Sequence, residues 1–132
     1  MNVSTRSYAG VGEEMLFSGF VVSGPAPKQV LIRAIGPGLV SRGVNDANTD
    51  PNLVIFKNGT AIADNDDWAY SNQGLHNFLA PIFTKVGAFQ LETTEWDSAL
   101  LITLPPGVYS AQVSGRNGET GVVLLEVYEV PE

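Results

Sequence analysis

Short apolar runs separated by Gly, Pro and Asn recur along the whole chain, and this punctuation limits the possible folds more than any other feature. About eight of these runs have the length and β-branched content of strands. Helical patterns do not alternate with them, which disfavours a parallel α/β fold. The sequence therefore predicts one all-β domain over residues 1–132, an antiparallel two-sheet β-sandwich with a jelly-roll-like arrangement.

Local patterns refine this prediction. Asn58-Gly59 between apolar runs predicts a type I′ hairpin, and two further hairpins are expected within residues 99–130. Gly19 inside a strand suggests a bulge or a close backbone approach. The spacing of apolar residues in Gly74–Val86 predicts one short inserted helix, which Pro81 should shorten or kink.

The last apolar run, Val122–Val130, is apolar on both faces of the predicted strand. One face can cover the sandwich core, and the other must meet either the inserted helix or a neighbouring domain or identical module. Glu126 lies within this run, and Arg33 lies within the apolar run Val30–Ile35. Since a buried unpaired charge is costly, the two residues are expected to form a cross-strand ion pair; the alternative is that each faces solvent.

The composition excludes several kinds of chemistry. The 132 residues include no Cys and one His, which rules out disulfides, thiolate metal sites and multi-histidine metal sites. Fourteen acidic against seven basic residues argue against nucleic acid and anionic membranes as partners, and no apolar run is long enough for membrane insertion. There is no Gly-x-Ser-x-Gly nucleophile motif. We therefore expect neither enzymatic activity nor a required cofactor.

Long motifs over nearly the whole chain carry a resemblance to a known family. They include Asn2–Arg6, Val30–Pro37, Asp64–Trp68 and Leu104–Gly115. The chain resembles an uncharacterised repeat module of large secreted or cell-surface bacterial proteins and, more distantly, the bacterial pre-peptidase C-terminal β-sandwich domain. The resemblance implies a non-catalytic extracellular module, cut from a longer secreted or surface chain, for adhesion, assembly or spacing. Its implied partners are neighbouring domains or identical modules, and some members of the second group bind calcium or polymeric substrates.

An acidic loop is the first candidate site. Asp64, Asp66 and Asp67 are close in sequence, and Asp97 lies beside a strand to which this loop is expected to lead. Calcium takes six to eight oxygen ligands, which carboxylates and loop carbonyls can supply. The sequence thus predicts a calcium site, against the alternative that these residues form Asx-turns in water.

Loop aromatic residues are the second candidate site. Trp68, Tyr70 and Trp96 fall outside the predicted strands, and exposed rings in β-sandwich modules can stack on sugars. This pattern predicts a carbohydrate-binding accessory module with polysaccharide as its partner. The alternative is that the Trp rings plug the ends of the sandwich.

Overall fold

The structure is a computed structural model, and it describes residues 2–10, 15–68, 73–92 and 96–131. Within these ranges the chain forms eight strands, one α-helix and two short 3-10 helices. The helix α1 is Gln73–Val86, and the 3-10 helices are Pro37–Arg42 and Arg116–Gly118. The strands are β1 (Asn2–Ala9), β2 (Leu16–Val22), β3 (Lys28–Ile35), β4 (Pro51–Lys57), β5 (Thr60–Asn65), β6 (Ser98–Leu104), β7 (Gly107–Gly115) and β8 (Gly121–Glu129).

The strands form two antiparallel four-stranded sheets. The first sheet has the order β1-β8-β3-β6, and the second has the order β2-β7-β4-β5. This arrangement confirms the predicted β-sandwich. The two hairpins expected within residues 99–130 are wrong, because β6, β7 and β8 alternate between the sheets, so that each connection passes from one sheet to the other. The hydroxyl of Tyr109 donates to the carbonyl of Pro105 at the first of these crossings, 2.6 Å away, and so fixes the start of β7.

The β4–β5 hairpin has the expected turn. Lys57 pairs with Thr60, and the two residues between them, Asn58 and Gly59, have φ values of 52° and 77°. Positive φ at both positions defines the type I′ turn, which Asn-Gly favours. The bulge expected at Gly19 is wrong, since the β2–β7 register is continuous there. An irregularity in register lies instead in the β4–β5 pair, at Ile55/Phe56.

Two apolar layers lie on opposite faces of the first sheet. The layer between the sheets contains the inward side chains of both, including Val123, Leu125 and Val127 of β8. On the other face of the same strand, Val122, Leu124 and Tyr128 pack with α1 and with loop residues such as Trp68. The helix and the loops therefore cover the second apolar face of β8. The helix α1 continues through Pro81. None of the helices in the described residues is long and apolar enough to cross a membrane.

A buried ion pair lies beneath α1. Arg33 and Glu126 are cross-strand partners in the β3–β8 register, as the sequence predicts. The guanidinium Nε donates to Glu126 Oε1 at 2.8 Å, and Nη2 lies 2.7 Å from the same oxygen. Rings of Phe83 and Phe89 lie 4.7 Å from the guanidinium carbon, and Tyr128 donates its hydroxyl to Glu126 Oε2 at 2.6 Å. Burial and this hydrogen bond raise the pKa of Tyr128 to about 12.

The two ends of the sandwich differ in what they carry. Asn2 pairs with Tyr128, so the start of β1 lies beside the end of β8; we call this the proximal end. At the opposite end, here the distal end, Ala9 pairs with Gly121 and Pro51 pairs with Gly115. Since β5 runs antiparallel to β4, the loop that follows β5 is also at the distal end.

Candidate functional site

Three carboxylates converge at the distal end. Asp50 directly precedes β4, and Asp66 and Asp67 directly follow β5. The hairpin register pairs Leu53 with Asn65, which brings the residues before β4 beside those after β5. One oxygen atom from each carboxylate lies within 4.8 Å of the others. This group is the acidic cluster.

Main-chain contacts hold the acidic cluster in place. Asn48 Oδ1 accepts the amide of Asp50 at 2.9 Å, and Arg116 donates its own amide to the carbonyl of Asp50 at 2.8 Å. Ser98 Oγ lies within hydrogen-bond distance of the carbonyls of Pro51 and Asp66, and so joins the two sides of the cluster. The carboxylates are therefore positioned by the fold and not by a flexible loop alone.

The acidic cluster is electrostatically strained. Burial raises the pKa of Asp50 to about 7, helped by a hydrogen bond with Asp66 and by the charges of Asp66 and Asp67. Burial and the charge of Asp66 also raise the pKa of Asp67. Arg116 opposes both shifts, and its Nη1 lies 2.9 Å from Asp66 Oδ2. One half-exposed guanidinium thus faces three carboxylates.

Unpaired acceptors add a second property to the cluster. Asp50 is only 9% exposed, and its Oδ1 accepts no hydrogen bond from the described chain. The same holds for Oδ1 of Asp66 and Oδ1 of Asp67. Buried oxygens are usually paired, so these three lack the partners that buried acceptors generally have. A cation that prefers oxygen ligands would bind all three carboxylate oxygens and offset their negative charge.

Geometry allows one calcium ion to bridge the three residues. Calcium–oxygen distances are roughly 2.3–2.6 Å, so ligand atoms on opposite sides of the ion are about 5 Å apart. The 4.8 Å span of the cluster falls within that limit. Carbonyls or water would have to complete the coordination, because three carboxylates supply fewer than the six to eight oxygens that calcium takes.

Two of the predicted calcium ligands lie elsewhere. Asp64 is an exposed residue of β5 paired with Val54, and it is not part of the cluster. Asp97 is buried, and its Oδ1 accepts the amides of Gly36 and Gly38 at 2.8 and 3.0 Å. That carboxylate holds the start of the 3-10 helix Pro37–Arg42. The structure therefore does not bring these two predicted ligands into the acidic cluster.

Within the part of the chain that the structure describes, Trp68 and Trp96 do not form the predicted aromatic platform. Trp68 is fully buried, with its ring 5.0 Å from that of Phe83 and its indole nitrogen donating to the carbonyl of Glu92 at 3.2 Å. A sugar cannot stack on it, because α1 already covers the ring. Trp96 is 43% exposed, and Tyr70 lies outside the described residues. Among the three predicted rings, the structure leaves Trp96 in a position to meet solvent.

Asp50 is the site residue that sequence reasoning missed. It is 16 positions before Asp66, and no motif connects the two. The signal that could have found it is the Asn-Gly turn, because a two-residue hairpin fixes which residues flank its open end. If residues are paired outward from the Asn58-Gly59 turn, Asp50 comes opposite the end of the run Asp64–Trp68. The irregularity at Ile55/Phe56 shifts this pairing by one residue.

Comparisons with known proteins show the fold. No family model matches the chain, and no curated protein matches it. Among solved structures, it is similar to the pre-peptidase C-terminal domain of a collagenase from Bacillus anthracis, with a TM-score of 0.56 and 13% sequence identity. The match covers 97% of this chain and 90% of the other. The chain therefore has the β-sandwich fold of that domain, as the more distant resemblance implied.

Proposed function

We propose that the chain is a non-catalytic β-sandwich module of a larger secreted or surface protein, where it acts in adhesion or assembly. The fold that it shares with a domain of a bacterial collagenase supports an accessory role. The observation that carries the proposal is that the chain ends and the acidic cluster lie at opposite ends of the sandwich. The start of β1 and the end of β8 lie at the proximal end, and the acidic cluster lies at the distal end.

This geometry favours adhesion or assembly over spacing. Asn2 and Tyr128 are directly opposite in an antiparallel pair, a separation of about 5 Å between Cα atoms. A module whose two connections lie that close adds little length to the chain that carries it. It projects sideways, with its distal end free to meet a partner.

A bead assay tests the proposed orientation. The chain has no cysteine, so Pro131→Cys and Glu119→Cys each give one exposed attachment point, at the proximal and distal ends respectively. Beads linked through position 131 should adhere several-fold better to surfaces coated with collagen or a neutral polysaccharide than beads linked through position 119. Equal adhesion of the two preparations, or adhesion of neither to any coated surface, would contradict a binding role for the distal end.

Calcium binding at the acidic cluster is a second candidate function. The unpaired carboxylate oxygens and the raised pKa of Asp50 favour it, since a bound cation relieves both. The ligands would be Asp50, Asp66 and Asp67. The carbohydrate-binding alternative has less support, because it relied on Trp68.

A calcium titration tests this second function. Extracellular modules bind calcium with Kd values of about 10⁻⁴–10⁻³ M, so about 10 mM calcium should stabilise the fold by roughly 1.4–2.7 kcal/mol. We expect the Tm to rise by several degrees in calcium, but not in a monovalent chloride salt at the same ionic strength. A Tm that does not respond to calcium would exclude the site.

A further inference from the structure

Strand β2 is an edge of the second sheet and lacks the usual protection of an edge. In the described chain, β7 is its pairing partner, and its other side is open. The segment Leu16–Val22 contains no charged residue and no proline, whereas β5, at the other edge of the same sheet, carries Asp64. Natural edge strands generally use charges, proline or bulges to prevent pairing with other chains. This edge is therefore open to a further strand.

The outward face of β2 is apolar. Phe17 is 58% exposed and Val21 is 52% exposed, while Leu16, Phe20 and Val22 point into the core. The register places Val21 beside Val108 of β7, which is 67% exposed. A strand added to this edge would cover apolar surface as well as satisfy backbone groups.

The sequence of β2 is complementary to itself. The strand has seven residues, with Gly19 at its centre. If two copies align antiparallel about Gly19, Phe17 of each lies opposite Val21 of the other. Pairs of an aromatic and a β-branched residue are among the favourable cross-strand pairs. The central Gly–Gly pair leaves no side chains to collide at the two-fold axis.

Nothing within one copy of the chain requires glycine at position 19. It lies in a regular part of the β2–β7 register and has no positive φ. A Cβ atom added there would meet the carbonyl oxygen of Tyr109 at 3.8 Å, an ordinary contact. Glycine weakens a strand interior, so the stability of one copy does not explain its presence here.

We propose that β2 pairs with β2 of a second copy, antiparallel and centred on Gly19. The pairing joins the two second sheets into one continuous sheet with two-fold symmetry, in which each copy contributes the same surface. The contact is smaller than a standard interface, so the dimer is weak and forms at high local concentration, as on a crowded surface. The partner of β2 is therefore another copy of this chain. The proposed dimer does not depend on the acidic cluster.

Sedimentation equilibrium of the full chain tests the dimer. The weight-average mass should rise from one chain toward two between about 10 µM and about 1 mM, the range of a weak interface. Gly19→Lys should abolish the rise, because it places like charges opposite each other at the axis. Gly19→Thr is the matched neutral variant, since threonine favours strands, and it should keep the dimer. Both variants should fold, because the space at position 19 is open.

Cross-linking tests the register. Opposite Cβ atoms in an antiparallel pair are about 4.5–5.5 Å apart, close to the separation in a disulfide. Under mild oxidation, Gly19→Cys should form a covalent dimer at least about ten-fold faster than Ile62→Cys, a control on the other edge strand with its side chain 42% exposed. Mass that stays at one chain throughout, equal oxidation rates, or a dimer unaffected by Gly19→Lys would overturn the proposal.

Discussion

Replacing Arg33 with methionine is expected to lower the free energy of unfolding by about 3–5 kcal/mol, because it leaves the buried Glu126 carboxylate without its counter-charge. Methionine fills most of the volume between Phe83 and Phe89 but cannot donate a hydrogen bond. The carboxylate would retain only the hydroxyl of Tyr128 among the partners described above. For a domain of this size, the Tm should fall by about 10–15 °C.

Urea unfolding at neutral pH measures this loss, and Lys28→Met is the matched control. Lys28 also pairs with a carboxylate of β8, that of Glu129 at 3.1 Å, but both of these side chains are about one-third exposed. Exposed ion pairs contribute about 0–1 kcal/mol, so the control should lower the free energy of unfolding by less than about 1 kcal/mol. Similar losses in the two variants would mean that the Arg33 pair has no special role.

A double variant separates the lost pair from the lost packing. Arg33→Met combined with Glu126→Leu removes both charges, and buried ion pairs can often be replaced by apolar residues at little cost. We expect the double variant to recover at least about 1–2 kcal/mol relative to Arg33→Met alone. If it is less stable than the single variant, the packing of the guanidinium against the two rings is the main contribution.

Most of the fold could be predicted from the sequence, because strand signals are local. The doubly apolar pattern of β8 correctly indicates that both faces of this strand are covered. The Asn58-Gly59 turn follows from backbone chemistry. The sequence did not predict which strands pair with β6 and β7. The Pro105-Pro106-Gly107 segment between them is compatible both with a hairpin and with a connection from one sheet to the other. Which strands meet depends on long-range packing, which no short window contains.

The candidate site could be predicted only in part, for the same reason. Asp66 and Asp67 were found because they are adjacent in an acidic run. The sequence could not show that Asp97 lies outside the cluster, because an aspartate that caps a turn from inside the protein has the same local sequence as a metal ligand. For Trp68 the structure supports the alternative that the ring is buried, because α1 covers a residue that the sequence places in a loop.

Asp50→Asn is expected to change the pH dependence of stability in the metal-free chain. In the folded state the pKa of Asp50 is about 7, above its value of 3.8 in an unfolded chain. Between about pH 4 and pH 7 the folded chain binds the extra proton, so stability falls as pH rises through this window and stays low above it. Asparagine carries no charge at any of these pH values, and the variant should lack this loss.

In EDTA, we therefore expect Asp50→Asn to be more stable than the natural chain at pH 8 by on the order of 2 kcal/mol, and little different at pH 4. Urea unfolding at the two pH values measures the difference, with Asp64→Asn as the control on the exposed side of β5. The control should change stability by less than about 0.5 kcal/mol at either pH. If the difference in stability between Asp50→Asn and the natural chain is the same at pH 4 and pH 8, the claim that charge repulsion destabilises the acidic cluster is wrong.

Adding calcium should reverse the order of the two proteins. If the proposed site binds calcium, the natural chain should gain stability from the ion, because the cation would offset the repulsion among the three carboxylates, whereas Asp50→Asn lacks one charged ligand. Calcium should therefore raise the Tm of the natural chain and of Asp64→Asn, but have little effect on Asp50→Asn. An aspartate that destabilises the metal-free protein and stabilises the calcium-bound one acts as a ligand, whereas a purely structural aspartate would have the same effect on stability with and without calcium. An equal calcium response in Asp50→Asn and the natural chain would place any bound ion elsewhere.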